Sequence, residues 1–155
     1  MKNLSRIKGF LFGTVLSSIS AWLFMLIAQA AAGGITNLWG ESWLYFSIVI
    51  PFAITFAVLG GYFHNRNELP NKKLWLISLV CAFLVTLYSG TIGALFGETI
   101  VRGGISTLNV KDTLIWGTIY AFVLLPLTTP FARFLIEIFR KFIKMTSFKG
   151  GLVTK

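Results

Sequence analysis

The sequence predicts an all-α integral membrane protein: a single domain of residues 1–155 with four transmembrane helices in an antiparallel bundle and a basic amphipathic helix after the last span. Three observations carry this reading. Apolar residues make up 55% of the chain and charged residues only 12%, with a mean hydropathy of +0.78, whereas a soluble domain carries about 25% charge to keep its surface solvated. Four apolar runs are long enough to cross the hydrocarbon core, which takes about 20 helical residues for roughly 30 Å. The third is that Lys and Arg are shared very unequally between the segments joining those runs. Together these exclude a disordered chain, a disulfide-stapled module and a conventional soluble enzyme.

The runs cover 9–32, 43–63, 74–97 and 114–134. In hydrocarbon each backbone polar group must be paired within its own segment, so the runs are expected as helices, and none shows the alternation of a membrane strand. The first follows Lys2, Arg6 and Lys8 and ends in Ala28, Gln29 and Ala30, which resembles a secretory signal. Its apolar stretch exceeds the core of about 7 to 15 residues that a cleaved signal has, so retention as a span is expected. Gly33 and Gly34 predict the stop of that helix, and Pro51 a mild kink in span two. The loop 64–73 permits only a tight hairpin of spans two and three, with Asn71 as the N-cap of the third. In the longest loop, 98–113, Asn109 followed by Asp112 predicts a capped helix start near Val110. Pro126 and Pro130, with Thr128 and Thr129 between them, predict a kink in the inner half of span four.

Beyond that kink, residues 131–146 repeat with helical period as a direct extension of span four. Arg133, Glu137, Arg140, Lys141 and Lys144 fall on one side, and Phe131, Phe134, Leu135, Ile138, Phe142 and Met145 on the rest. Arg133, Arg140, Lys141 and Lys144 are expected to meet the anionic inner leaflet or a cytoplasmic protein partner. All Lys and Arg except Arg102 and Lys111 lie on the side of the N-terminus, which predicts a multi-pass protein of the plasma (inner) membrane with both termini cytoplasmic. This asymmetry accounts for the net charge of +9 without nucleic acid, so no nucleic-acid partner is expected. Trp39, Trp43, Tyr45 and Trp116 are expected at the outer interface, and Tyr62 and Trp75 at the inner one. Trp22, in mid-span, is expected to face another helix with its indole N–H on a hydroxyl.

Three spans carry small residues about four apart: Gly9, Gly13, Ser17 and Ala21; Ala53, Ala57 and Gly61; and Ala82, Thr86, Gly90, Gly93 and Gly97. Such rows let helix backbones approach closely in lipid. Span four shows no comparable row, and three rows in one small bundle predict a homo-oligomer. His64 lacks partners at the spacing of a haem or zinc site, Cys81 stands alone within span three, and no ionisable residue occupies the middle of a span. No catalytic residue, metal or cofactor is therefore expected. Glu98 lies four residues before Arg102, a spacing for an ion pair or for the charged mouth of a pore. The sequence thus reads as a non-enzymatic inner-membrane component acting through protein–protein contacts. By analogy of size and layout alone, that is a partner subunit or an immunity, exclusion or anti-phage defence component. The alternative is a small oligomeric pore around Gly93, Gly97 and Glu98; a transporter subunit is disfavoured by the apolar spans.

Overall fold

The structure, a computed structural model, describes residues 2–39, 41–64, 66, 69–104 and 109–149. Residues 65, 67 and 68 of the predicted basic loop, 105–108 of the longest loop and Lys155 lie outside the described residues. Every regular element among the described residues is a helix: α1 Lys2–Ala31, α2 Ser42–Phe63, α3 Asn71–Gly90, α4 Ile92–Arg102, α5 Val110–Val123 and α6 Leu125–Lys149. Three stretches are long and apolar enough to cross a membrane: α1, α2, and α3 with α4 as one 32-residue run, Asn71–Arg102. A fourth exists only if α5 and α6, bent by 69°, count as one broken span.

The α1–α2 pair is the tightest contact, and its cause is steric. A Cβ on Gly9 would strike the Phe56 carbonyl, one on Gly13 would stand 2.5 Å from the Phe52 carbonyl oxygen, and one on Gly60 would strike the Ser5 carbonyl. Ala53 and Ala57 lie opposite Gly13 and Gly9, as the small-residue rows predict. Gly61, predicted for the seam, instead faces the Arg6 side chain, and its neighbour Gly60 makes the backbone contact. These pairs set an antiparallel register that continues to Glu41, whose N–H donates to the Met25 sulfur (3.1 Å). The last turns of α1 therefore project past the start of α2. Gly33 and Gly34, at φ +115° and +142°, then turn the chain back, a conformation glycine adopts without steric penalty.

Pro51 does not break α2. It leaves the Ser47 carbonyl without its helical donor, and the Gly93 backbone of α4 packs against that carbonyl, where a Cβ would stand 2.6 Å away. The row Gly90, Gly93, Gly97 is split rather than continuous, because Thr91 leaves helical geometry at φ −115°, ψ −97°. Gly93 and Gly97 face Ser47 and Trp43 of α2, whereas Gly90 faces Gly117 of α5. Gly117 and Ala121 are the buried residues of α5, so span four has a packing seam that the sequence reading missed. Gly9, Gly13, Gly90, Gly93 and Gly97 of the predicted rows thus make their close contacts within one chain.

At the start of α5 the Asn109 side chain accepts from the Asp112 N–H (3.2 Å), as the spacing predicts. At α3 the cap is Pro70, with extended backbone, and Asn71 is already helical; the Asn71 carboxamide is engaged elsewhere, as described below. The break between α5 and α6 falls at Leu124, ahead of both prolines. Pro126 then sits in the first turn of α6, where a missing N–H removes no helical bond, and the Thr128 hydroxyl donates back to the Leu124 carbonyl (3.0 Å). Pro130 is absorbed inside α6.

The seams generate a test. Overfilling a close-packed contact costs about 1–3 kcal/mol, and more where backbone has to move. Gly13→Leu and Gly93→Leu should each lower the thermal unfolding midpoint in detergent by several degrees or prevent folding, whereas Leu84→Phe, at an exposed position, should leave it unchanged; fluorescence-monitored melting checks this.

Candidate functional site

The predicted amphipathic helix is not a straight continuation of span four. After the 69° bend, α6 crosses the basic end of the bundle and touches three helices in turn. Arg133 meets Asn71 and Trp75 of α3. Phe139 packs on Phe56 and Phe63 of α2, with ring centroids 5.1 and 6.4 Å away, and Phe12 of α1 lies against both Phe139 (5.0 Å) and Phe142 (5.6 Å). Phe139 is 0% exposed, and Leu135, Ile136 and Ile143 are buried beside it. The core thus closes on a sector of α6 that the sequence reading did not single out.

Two further faces remain. Phe134, Ile138 and Met145, three of the residues of the predicted apolar side, are 58%, 40% and 63% exposed, and Leu127 continues their stripe. The four-basic stripe is uneven. Arg133 is only 13% exposed: its Nη2 donates to the Asn71 side-chain oxygen (3.0 Å) and pairs with the Glu137 carboxylate (2.6 Å). Its guanidinium carbon lies 6.0 Å from the Trp75 ring centre. Arg140 is half-buried over the Phe63 ring at 5.7 Å. Lys141 and Lys144 are the exposed members. Arg133 therefore positions the helix, and the solvated charge gathers on its second half.

At the other end of the bundle Glu98 pairs with Arg102 as the spacing predicts, with 16% of the Glu98 side chain exposed and 54% of Arg102. Gly93 and Gly97, the other residues of the pore alternative, are filled against α2. His64 Nδ1 shares a hydrogen bond with the Ser5 hydroxyl (2.9 Å), tying the basic ends of α1 and α2. Cys81 is half-buried in α3. No group of three or more His, Cys, Asp or Glu that could hold a metal occurs among the described residues.

Trp22 does not meet a hydroxyl on another helix. Its indole N–H donates to the Leu38 carbonyl (2.9 Å), because the loop after α1 descends along α1 to reach it. Gln29 holds the same loop: its Nε2 donates to the Asn37 carbonyl (2.8 Å), and its Oε1 accepts from the N–H groups of Thr36 (3.0 Å) and Asn37 (2.9 Å). The loop is preformed, and the only sequence signal for it was a glutamine one turn before a double glycine.

No family model, curated protein or solved structure matches this chain.

The Arg133 node makes a specific prediction. Arg133→Met would leave the Asn71 and Glu137 oxygens without their shared donor, a loss of about 1–3 kcal/mol for a charged hydrogen-bonded group. Arg133→Lys should recover only part, since an ammonium lacks the planar fork. Thermal melting of both variants beside Lys141→Met checks this, with Lys141→Met expected to melt as wild type.

Proposed function

We propose that this chain is a non-enzymatic multi-pass protein of the plasma membrane, with both termini cytoplasmic, that acts through protein–protein contacts made by α6. The observation that carries the reading is the three-sided character of that helix. One face is locked into the aromatic core, a second presents Phe134, Ile138 and Met145, and a third presents Lys141 and Lys144 beside Arg140. A helix serving the fold alone needs only the first. Placed at the inner leaflet, the apolar stripe seats among acyl chains while the lysines face headgroups and cytoplasm. There an acidic protein surface is the complementary partner. The orientation is supported by the basic residues clustered at that end. The pore alternative is less well supported, since Gly93 and Gly97 pack on α2 and Glu98 is neutralised by Arg102.

Two measurements test this. With Cys81 replaced, cysteines introduced at residues 3 and 150 should resist an impermeant thiol reagent in intact cells and react after lysis; labelling before lysis would reverse the topology. A photo-crosslinking residue at position 141 should give a discrete protein adduct in intact cells that Arg140→Glu with Lys144→Glu removes, whereas one at position 138 should give lipid adducts. Lipid adducts alone from position 141 would reduce α6 to a membrane anchor.

A further inference from the structure

At the end of the bundle away from α6's lysines, a groove of about 590 Å³ opens between α1, the descending loop, the start of α2 and the α5–α6 break. Its volume falls in the range of roughly 300 to 1,000 Å³ typical of small-molecule sites. Phe24, Ile27 and Ala28 form one wall, and Leu44, Leu124 and Leu127 the other.

The polar residues lining it are Gln29, Thr36, Asn37, Thr128 and Glu41, and four of these already use polar side-chain atoms within the protein. Gln29 uses both ends of its carboxamide on Thr36 and Asn37, and the Thr36 hydroxyl donates to Gln29 Oε1 (3.3 Å). The Asn37 Oδ1 accepts from the Trp39 N–H (3.0 Å), and the Thr128 hydroxyl donates to the Leu124 carbonyl (3.0 Å). Glu41 differs. Among the described residues no Lys or Arg pairs with its carboxylate, and it is the only charged residue of the lining. Trp43 lines the groove two residues further on, and a lining that holds both an aromatic ring and a carboxylate favours an organic cation.

We propose that this groove is a binding site for an apolar organic cation, held by the aliphatic and aromatic walls and oriented by Glu41 and Trp43. The chemistry favours this occupant over a neutral lipid chain or an anion. A hydrocarbon tail would gain nothing from Glu41, and an anion would be repelled by a carboxylate at the edge of a low-dielectric slot. The register of α1 on α2 creates the space, since α1 outruns the start of α2, and the Gln29 clasp holds the loop so that the groove exists before a ligand arrives. The proposal does not depend on α6's partner or on the orientation of the chain.

The charge sign can be tested with two probes of one shape. Equilibrium dialysis of purified protein in a non-ionic detergent should show saturable, one-to-one binding of tetraphenylphosphonium and no saturable binding of tetraphenylborate. Glu41→Gln should weaken the cation about tenfold or more, and Leu127→Trp, which fills the exposed lip of the wall, should abolish binding while the elution profile stays that of wild type. Equal affinity in Glu41→Gln, equal binding of the borate, or binding unaffected by Leu127→Trp would each overturn the proposal. So would native mass spectrometry showing a retained phospholipid that the cation fails to displace, an outcome that assigns the groove to lipid.

Discussion

The fold depends on helix backbones that touch. For helices apolar enough to cross a membrane, lipid tails are as apolar as leucine, so no hydrophobic force would draw them together, and close approach at small residues has to supply the van der Waals contact. Gly9, Gly13 and Gly60 bring α1 onto α2, Gly93 and Gly97 bring α4 onto the other side of α2, and Gly90 meets Gly117 to hold α5. A bundle so joined has its helix order and register fixed before any large side chain is placed. Phenylalanines then fill the space between α1, α2 and α6, where Phe12, Phe56, Phe63 and Phe139 converge. The glycine contacts determine position, and the aromatic cluster determines how α6 closes the basic end.

The prolines show how context decides the outcome of one chemical defect. Each removes an N–H and crowds the preceding turn. Pro51 lies in a helix whose freed Ser47 carbonyl is covered by Gly93, and α2 runs on through it. Pro126 follows Leu124, where α5 ends, and the chain continues at 69° with the proline in the first turn of α6. Pro130, four residues later, has the new helix around it and does not break it. The sequence located the weak points, but neighbouring helices decided which became bends.

Features written in local chemistry were legible: the long apolar helices, the Asn109 cap, the double-glycine stop, the Glu98–Arg102 pair and the small residues of α1. Features that depend on which neighbour arrives were not. Asn71 has the chemistry of a cap, yet Pro70 takes that position and Arg133 takes the side chain. Gly117 was overlooked because its partner row, Gly117 to Ala121, is only two residues long. The buried face of α6 was not legible for a deeper reason. In water an exposed apolar stripe is penalised, so periodicity reveals the buried face; beside lipid two apolar sectors are both tolerated, and period alone cannot rank them. The core took Leu135, Ile136 and Phe139 and left Phe134 and Ile138 outside.

This three-sided packing links the two ends of the molecule. Leu127 and Thr128 wall the groove, Arg133 is fastened to Asn71 less than two turns later, and Phe139 and Phe142 are held by Phe12 beyond that. α6 is one helix throughout this stretch, so its first turn cannot move outward to widen the groove without tilting the rest. Such a tilt works against the Arg133–Asn71 bond and the phenylalanine cluster. The groove wall and the segment that carries Lys141 and Lys144 therefore belong to one helix, and displacement of either end is opposed by the same contacts.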